Sequence, residues 1–262
     1  MRTWFRIFFI GGVIAYRGLF NWIAPAYYIP TMLLGPIFQI LFFAYLGRSA
    51  GVASDSFFLI GDSFVGAALA GLFGMGHAIG GERRFQTLSI LLASPASRLA
   101  LFLGRALPAL INGFAVAAIA FGLGAWILGV SFSADELAKL ALALLSSCFA
   151  CAALGLCIGA LGLRGRSVSL FADVTGAALL LVSGANVPFE RLPGLIRTIA
   201  SAMPLTHGID AARQVAAGAP LGDVTHPLAT ELAVGAAYFT VGLLLLRIFE
   251  HHGRTAGSLD RF

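Results

Sequence analysis

Long apolar runs without a charged residue dominate this sequence and limit what it can fold into. The first of them extends from Gly18 to Gly47. Crossing the hydrocarbon core of a bilayer takes about 20 apolar helical residues, and helices satisfy their own backbone hydrogen bonds in lipid. The chain is 59% hydrophobic and 11% charged, against roughly one quarter charged residues in soluble domains. The sequence therefore predicts an all-α polytopic membrane protein.

Six of these runs are expected to cross the membrane as helices within a single transmembrane domain, residues 1–262. Charged loops or clusters of glycine and proline separate them. Ser133 or Asp135 is expected to cap the fourth span, and the glycines of the second span predict close packing against a neighbouring helix. The predicted spans are residues 28–46, 57–80, 106–129, 137–163, 168–184 and 227–248.

A short amphipathic segment, residues 82–94, lies between the second and third spans. Phe85, Leu88 and Leu92 recur at helical spacing and form one apolar face, whereas Ser89 lies off that face. Pro95 removes a backbone donor and ends the segment. A helix of about three turns is too short to cross a bilayer. We therefore expect it to lie in the interface or to dock into a partner.

Two other segments are not expected to span. Residues 1–24 mix arginines with aromatic residues, a pattern typical of an interfacial amphipathic helix. Residues 188–217 contain two short apolar stretches separated at Pro204, and neither is long enough to cross. This second pattern predicts a re-entrant helical hairpin between the fifth and sixth spans.

The basic residues predict the orientation of the chain. With the amino terminus inside, 12 of the 17 basic residues fall on the inner side and 5 on the outer side. Cytoplasmic loops of membrane proteins carry the excess of lysine and arginine. We therefore expect cytoplasmic termini, a cytoplasmic segment 82–94 and an external hairpin. The excess of positive charge is interpreted as headgroup contact and orientation rather than nucleic-acid binding.

Few polar side chains interrupt the spans, and these are candidates for function. Asp62 is the charge inside the second span and a candidate for the transport pathway, although it is close enough to the helix start to reach the headgroups. His77 and Asp173 stand near helix ends, and His77 is expected to bond a headgroup or a carbonyl. Asp210 and Arg213 are spaced for a local ion pair.

Motifs for catalysis and phosphate binding are absent from the sequence. It contains no G-x-x-x-x-G-K-[ST], no H-E-x-x-H and no G-x-S-x-G. Cys148, Cys151 and Cys157 lie in one apolar run and are interpreted as small packing residues. We therefore expect no catalytic residues and no metal site on this chain.

Two motifs resemble those of type-2 ABC transporter permeases, a family that includes drug and lipo-oligosaccharide exporters. Residues 82–95 are similar to the family pattern E-R-x-x-G-T-L-E-x-L-L-A-[ST]-P, with Gln86 in place of glycine and Ser89 in place of glutamate. Residues 204–213 are similar to its N-P-L-T-Y-x-V-D-x-x-R, with Met203 in place of asparagine and His207 in place of tyrosine.

The resemblance implies a membrane subunit of an ATP-driven exporter in a bacterial-type inner membrane. Two copies would form a homodimer, and a separate ATPase subunit would bind ATP and Mg. The cargo would be hydrophobic or amphipathic: a drug, a lipid or a lipid-linked glycan. Residues 82–94 would be the coupling helix that docks on the ATPase. The interface residues it implies are Glu82, Arg83, Arg84, Phe85, Leu88, Leu91 and Leu92.

Such a dimer would place its transport path between the two copies, with the second and fifth spans facing each other. Asn186, Val187 and Phe189, at the turn into the hairpin, are then expected to form an external gate, although a plain packing contact is the alternative. An ion-gradient-driven secondary transporter is a second interpretation, and a membrane-embedded enzyme is a third. The carboxylates near helix ends and the missing catalytic motifs favour the ABC permease.

Overall fold

The computed structural model describes residues 5–14, 25–84, 98–162 and 168–256, and these residues form helices joined by short loops. No strand occurs within these ranges. A single 3-10 turn, Phe189–Arg191, precedes α7. The α-helices are α1 (Phe5–Ile14), α2 (Pro25–Ala50), α3 (Asp55–Arg84), α4 (Arg98–Leu128), α5 (Ala134–Gly162), α6 (Val168–Val182), α7 (Gly194–Ala202), α8 (Thr206–Ala216) and α9 (Leu221–Ala256).

Five of the described helices, α2, α3, α4, α5 and α9, are long and apolar enough to cross a membrane. The prediction of an all-α polytopic protein is confirmed, and these helices coincide with five of the six predicted spans. The remaining predicted span, residues 168–184, corresponds to α6. This helix has 15 residues and extends about 22 Å at 1.5 Å per residue. It falls short of a bilayer core because the chain leaves helical geometry at Ser183 and turns at Gly184, whose φ is +84°.

Helix α5 is the centre of the bundle, packed between α3 on one side and α9 on the other. Glycine allows both contacts. A Cβ added to Gly155 would lie 2.5 Å from the carbonyl oxygen of Leu72 in α3, and one added to Gly242 would lie 2.7 Å from the Leu156 side chain. Small residues let helix backbones approach this closely in membranes. In α3 itself, a Cβ on Gly71 would lie 3.2 Å from the Cys148 carbonyl oxygen of α5, so the predicted close packing of the glycine-rich second span is confirmed.

The remaining helices surround this core. Helix α4 packs along α3, and α2 packs against both of them. Helix α1 meets α4 at Gly104, where an added Cβ would overlap the Phe8 carbonyl oxygen. Of the two expected caps of α5, Ser133 and Asp135, the structure shows Ser133: its Oγ accepts from the Glu136 amide at 3.2 Å, and Glu136 accepts from the Ser133 amide at 2.6 Å. This reciprocal pair is a capping box.

The segment predicted as a hairpin forms two short helices with very different surroundings. Helix α7 is exposed, with Leu195 78% exposed. Helix α8 lies inside the bundle against α5, α9 and α3 and buries Ile209, Ala212 and Val215. Between the two helices, Leu205 has a φ of +83°, which is unusual for a residue with a side chain. The break that Pro204 predicted is therefore present, and α8 is as buried as a core helix.

Candidate functional site

The predicted candidate residues fall into two groups. Glu82, Arg83 and Arg84 are the last residues of α3, which continues through Gly80 and Gly81 without interruption. The other predicted coupling residues lie outside the described residues: Phe85, Leu88, Leu91 and Leu92. The pathway and gate candidates all lie at the opposite end of α3. There α2 ends, α3 begins and α6 ends, and we call this region the hairpin end.

Asp62 is buried at the hairpin end, with only 1% of its surface exposed. Its Oδ1 accepts a hydrogen bond from Gln39 Nε2 in α2 at 2.9 Å, whereas Oδ2 has no hydrogen-bond partner among the described residues. Asn186 lies beside the same carboxylate without completing a hydrogen bond of good geometry. The expectation that Asp62 could reach the headgroups is wrong, because α2 and the loop after α6 cover it.

Arg213 of α8 holds that loop in place. Its guanidinium donates to the carbonyl oxygens of Gly184 and Ala185 at 2.8 Å each and to that of Phe57 at 3.3 Å. It also lies 3.4 Å from the centre of the Phe57 ring, close enough for a cation–π interaction. Arg213 thus joins α8, the start of α3 and the loop that carries Asn186.

The predicted ion pair between Asp210 and Arg213 is wrong. Asp210 is exposed and accepts from Gln214 Nε2 at 3.0 Å, while Arg213 points to the backbone carbonyls of other segments. Spacing alone suggested the pair. The carbonyl oxygens after α6 are buried acceptors that need a donor. Residue spacing within α8 gives no information about acceptors in other segments.

Glu231 of α9 forms a second buried polar contact, at the start of α8. Its surface is fully buried. Oε1 accepts from the Leu205 amide at 2.6 Å and Oε2 accepts from the Gly208 amide at 3.1 Å. No side chain of α8 itself caps this helix, so Glu231 satisfies amides that would otherwise have no partner. About two helical turns further along α9, the Tyr238 hydroxyl donates to the Ala202 carbonyl oxygen at 3.2 Å.

Sequence reasoning did not select Glu231 as a functional or structural centre, although two signals were available. A carboxylate within an apolar span is a candidate by default. In addition, the helix after Pro204 begins without serine, threonine, aspartate or asparagine at its cap position, so it needs an acceptor from elsewhere. Only the fold shows that these two signals belong together.

Val187 and Phe189 are half-buried at the hairpin end. The guanidinium of Arg197 in α7 lies 5.7 Å from the centre of the Phe189 ring. Val187 and Asn186 line a cleft of about 690 Å³ between the ends of α2 and α6. The structure therefore brings Asp62, Asn186 and Val187 to one place, with Phe189 turned toward the hairpin.

His77 lies at the other end of α3 and behaves as expected of an interface histidine. Its Nδ1 is 2.8 Å from the Phe73 carbonyl oxygen, one helical turn earlier, and its Nε2 is 3.5 Å from Ser169 Oγ. The carbonyl bond predicted for His77 is confirmed. Asp173 is exposed on α6, one turn after Ser169. The three cysteines are buried in α5, and Cys157 Sγ lies 3.1 Å from the Tyr238 carbonyl.

Replacing Glu231 with alanine should loosen the start of α8. Two buried amides would lose their acceptor, at a cost of about 1–3 kcal/mol for each unsatisfied group, and a chain of this size loses about 2–4 °C in melting temperature per kcal/mol. Hydrogen–deuterium exchange of residues 205–208 in the purified protein should rise sharply. Asp223→Ala, an exposed carboxylate on the same helix, is the matched control. Unchanged exchange in Glu231→Ala would contradict the capping role.

Comparison with known proteins agrees with this architecture. The sequence profile of the ABC-2 type transporter family matches residues 12–216, most of the chain. The inner membrane transport permease YhhJ of Escherichia coli (strain K12) and that of Shigella flexneri are each 29% identical over 102 residues. These matches cover 38% of this chain and 27% of each relative, so the chain spans about a quarter of their length.

The family match includes α3, the segment after it, and the break between α7 and α8, which are the regions that the two sequence motifs mark. Members of this family generally act with an ATPase partner and often as dimers. Five described helices long enough to cross a membrane agree with a multi-pass membrane protein. This chain belongs to the ABC-2 type transporter family.

Proposed function

We propose that this chain is the permease of an ATP-driven exporter that moves a hydrophobic or amphipathic cargo out of the cytoplasm across the inner membrane. Drugs, lipids and lipid-linked glycans are the cargo classes we consider. The observation that carries this proposal is the family match over residues 12–216. The chain contains no motif that cradles nucleotide phosphates. In the proposed complex a separate ATPase subunit binds ATP and Mg, and a second copy of the permease completes a homodimer.

Helix α3 supports a route for coupling. It runs from Asp62 at the hairpin end to Glu82, Arg83 and Arg84, the first residues of the proposed coupling segment 82–94. Its middle is fastened to α5 by backbone contacts at glycine. Because packed helices move as rigid bodies rather than bending freely, a displacement at residues 82–84 is transmitted along α3 into the core.

Substituting Leu88 with aspartate should uncouple ATP hydrolysis from export while the helices remain folded. Burial of one leucine contributes about 1.5–3 kcal/mol, so the docking should weaken by roughly one to two decades. The measurements are ATPase rate and cargo export in vesicles that contain the permease with its ATPase. Ser89→Asp adds the same charge off the apolar face and should retain coupling.

Wild-type export by Leu88→Asp would contradict the coupling role of this segment. Wild-type export driven by an ion gradient in the absence of ATP would instead favour the secondary transporter. The two buried carboxylates of the described residues, Asp62 and Glu231, are the groups that such a transporter could use. Both oxygens of Glu231 are already bonded to backbone amides, which supports a structural role for that residue.

The proposed orientation places both termini in the cytoplasm and α7 outside. A cysteine introduced at Ser201, which is exposed on α7, should react with a membrane-impermeant maleimide added to intact cells. One introduced at Ser97 or Thr255 should react only after the cells are opened. Labelling at Ser97 in intact cells would reverse the orientation that the arginine distribution predicts.

We also propose that Val187 and Phe189 narrow the external exit at rest. Shortening both to alanine should raise the basal ATPase rate of the complex, because closing the exit would no longer resist the transition to the open state. The matched control is Phe171→Ala with Val174→Ala, the same residue types exposed on α6. Equal basal rates in the two double variants would leave Val187 and Phe189 as packing residues only.

A further inference from the structure

The cleft at the hairpin end has the dimensions and lining of a small-molecule site. Its volume is about 690 Å³, within the roughly 300–1,000 Å³ that ligand pockets occupy. Helix α2 forms one wall through Phe43 and Leu46, and α6 forms the other through Leu180 and Leu181. Such sites are mostly apolar and contain a few polar groups that orient the ligand.

Asn186 is the one polar side chain among the described residues that line this cleft. Its Nδ2 and Oδ1 are both buried, and neither has a hydrogen-bond partner among the described residues. Buried amide groups are almost always hydrogen-bonded, because leaving them unpaired is costly. Asn186 Nδ2 faces the Asp62 carboxylate, so Oδ1 is the amide atom available to a ligand group in the cleft.

The groups around Asn186 select the chemistry of that ligand. Asp62, beside it, uses Oδ1 to accept from Gln39, and its buried Oδ2 has no partner among the described residues. Arg213 directs its guanidinium to the carbonyls of Gly184, Ala185 and Phe57. Because its Nδ2 lies beside that carboxylate, Asn186 offers the cleft the acceptor Oδ1. A donor on the ligand would complement it.

We propose that this cleft binds an amphipathic molecule whose apolar body lies between α2 and α6 and whose head donates a hydrogen bond to Asn186 Oδ1. A protonated amine or a hydroxyl provides such a head. The bound molecule is the exporter's cargo, and in that respect alone the inference rests on the proposed function. A head without a donor would leave Asn186 Oδ1 unpaired and would bind less tightly.

Photolabelling of the full-length permease in lipid nanodiscs, without ATPase or nucleotide, tests this site. The probes are diazirine derivatives of dodecylamine, dodecanol and methyl dodecyl ether, which share one apolar body. We expect the amine or the alcohol to label peptides of residues 41–58 and 177–187 about tenfold more strongly than the ether, which is the effect of losing one charge-assisted or buried hydrogen bond. Equal labelling of these peptides by all three probes would overturn the proposal.

Variants separate the polar and apolar parts of the site. Asn186→Leu should reduce labelling by the donor probes to the level of the ether and leave ether labelling unchanged. Leu181→Trp should fill the cleft and reduce labelling by every probe. Leu145→Trp is its control, because Leu145 lines a second cavity of about 360 Å³ between α3, α4, α5 and α9. Leu181 and Leu145 are similarly exposed, at 63% and 52%.

Labelling of the cleft peptides that persists in both Asn186→Leu and Leu181→Trp would refute the site. Melting curves identify a variant that folds poorly, and the other variant then decides. Binding is measured without energy input, so the two proposals fail separately. If the donor probes label the cleft selectively but the complete complex does not export, the binding site is supported and the proposed export function is refuted. If the complex exports but labelling is not donor-selective, the export function is supported and the binding site is refuted.

Discussion

Close backbone contact between α3 and α5 is the constraint on which the rest of this structure depends. Within lipid, apolar surface gains little by moving from acyl chains to a neighbouring helix, so packing and hydrogen bonds hold helices together. The carbonyl of Leu72 lies where a side chain on Gly155 would have to stand. With α3 and α5 joined in this way, α4 and α2 pack outside α3 while α9 packs on the opposite face of α5.

Two charged side chains, Glu231 of α9 and Arg213 of α8 itself, then hold the buried helix α8 in place. Glu231 accepts from the amides at the start of α8, and Arg213 extends from α8 to carbonyls of α3 and of the loop after α6. Carboxylate at a helix amino end and guanidinium on backbone carbonyls are both charge-assisted contacts, which are strong where water is excluded. They hold the loop that presents Asn186 beside Asp62, so the geometry of the cleft depends on contacts made by α8.

Sequence periodicity was a sufficient guide to the helices and an insufficient guide to their surroundings. The apolar runs located five spanning helices, with ends that differ from the observed ones by at most eight residues. Ser133, one of the two residues expected to cap the fourth span, pairs with Glu136 three residues away. Asp210 and Arg213 were paired by the same local rule, and the rule failed there. The partners of Arg213 are 28, 29 and 156 residues distant, where no local spacing can indicate them.

What the sequence determined by itself is the class of protein and the position of its helices, because both follow from local properties: apolar length, charge and the backbone preferences of proline and glycine. It also marked the family through two motifs. The tertiary structure alone decided that α8 is buried, that Glu231 caps it and that Asp62 meets Asn186. Each of these depends on which helices become neighbours, and that choice is made by close packing between segments far apart in the chain.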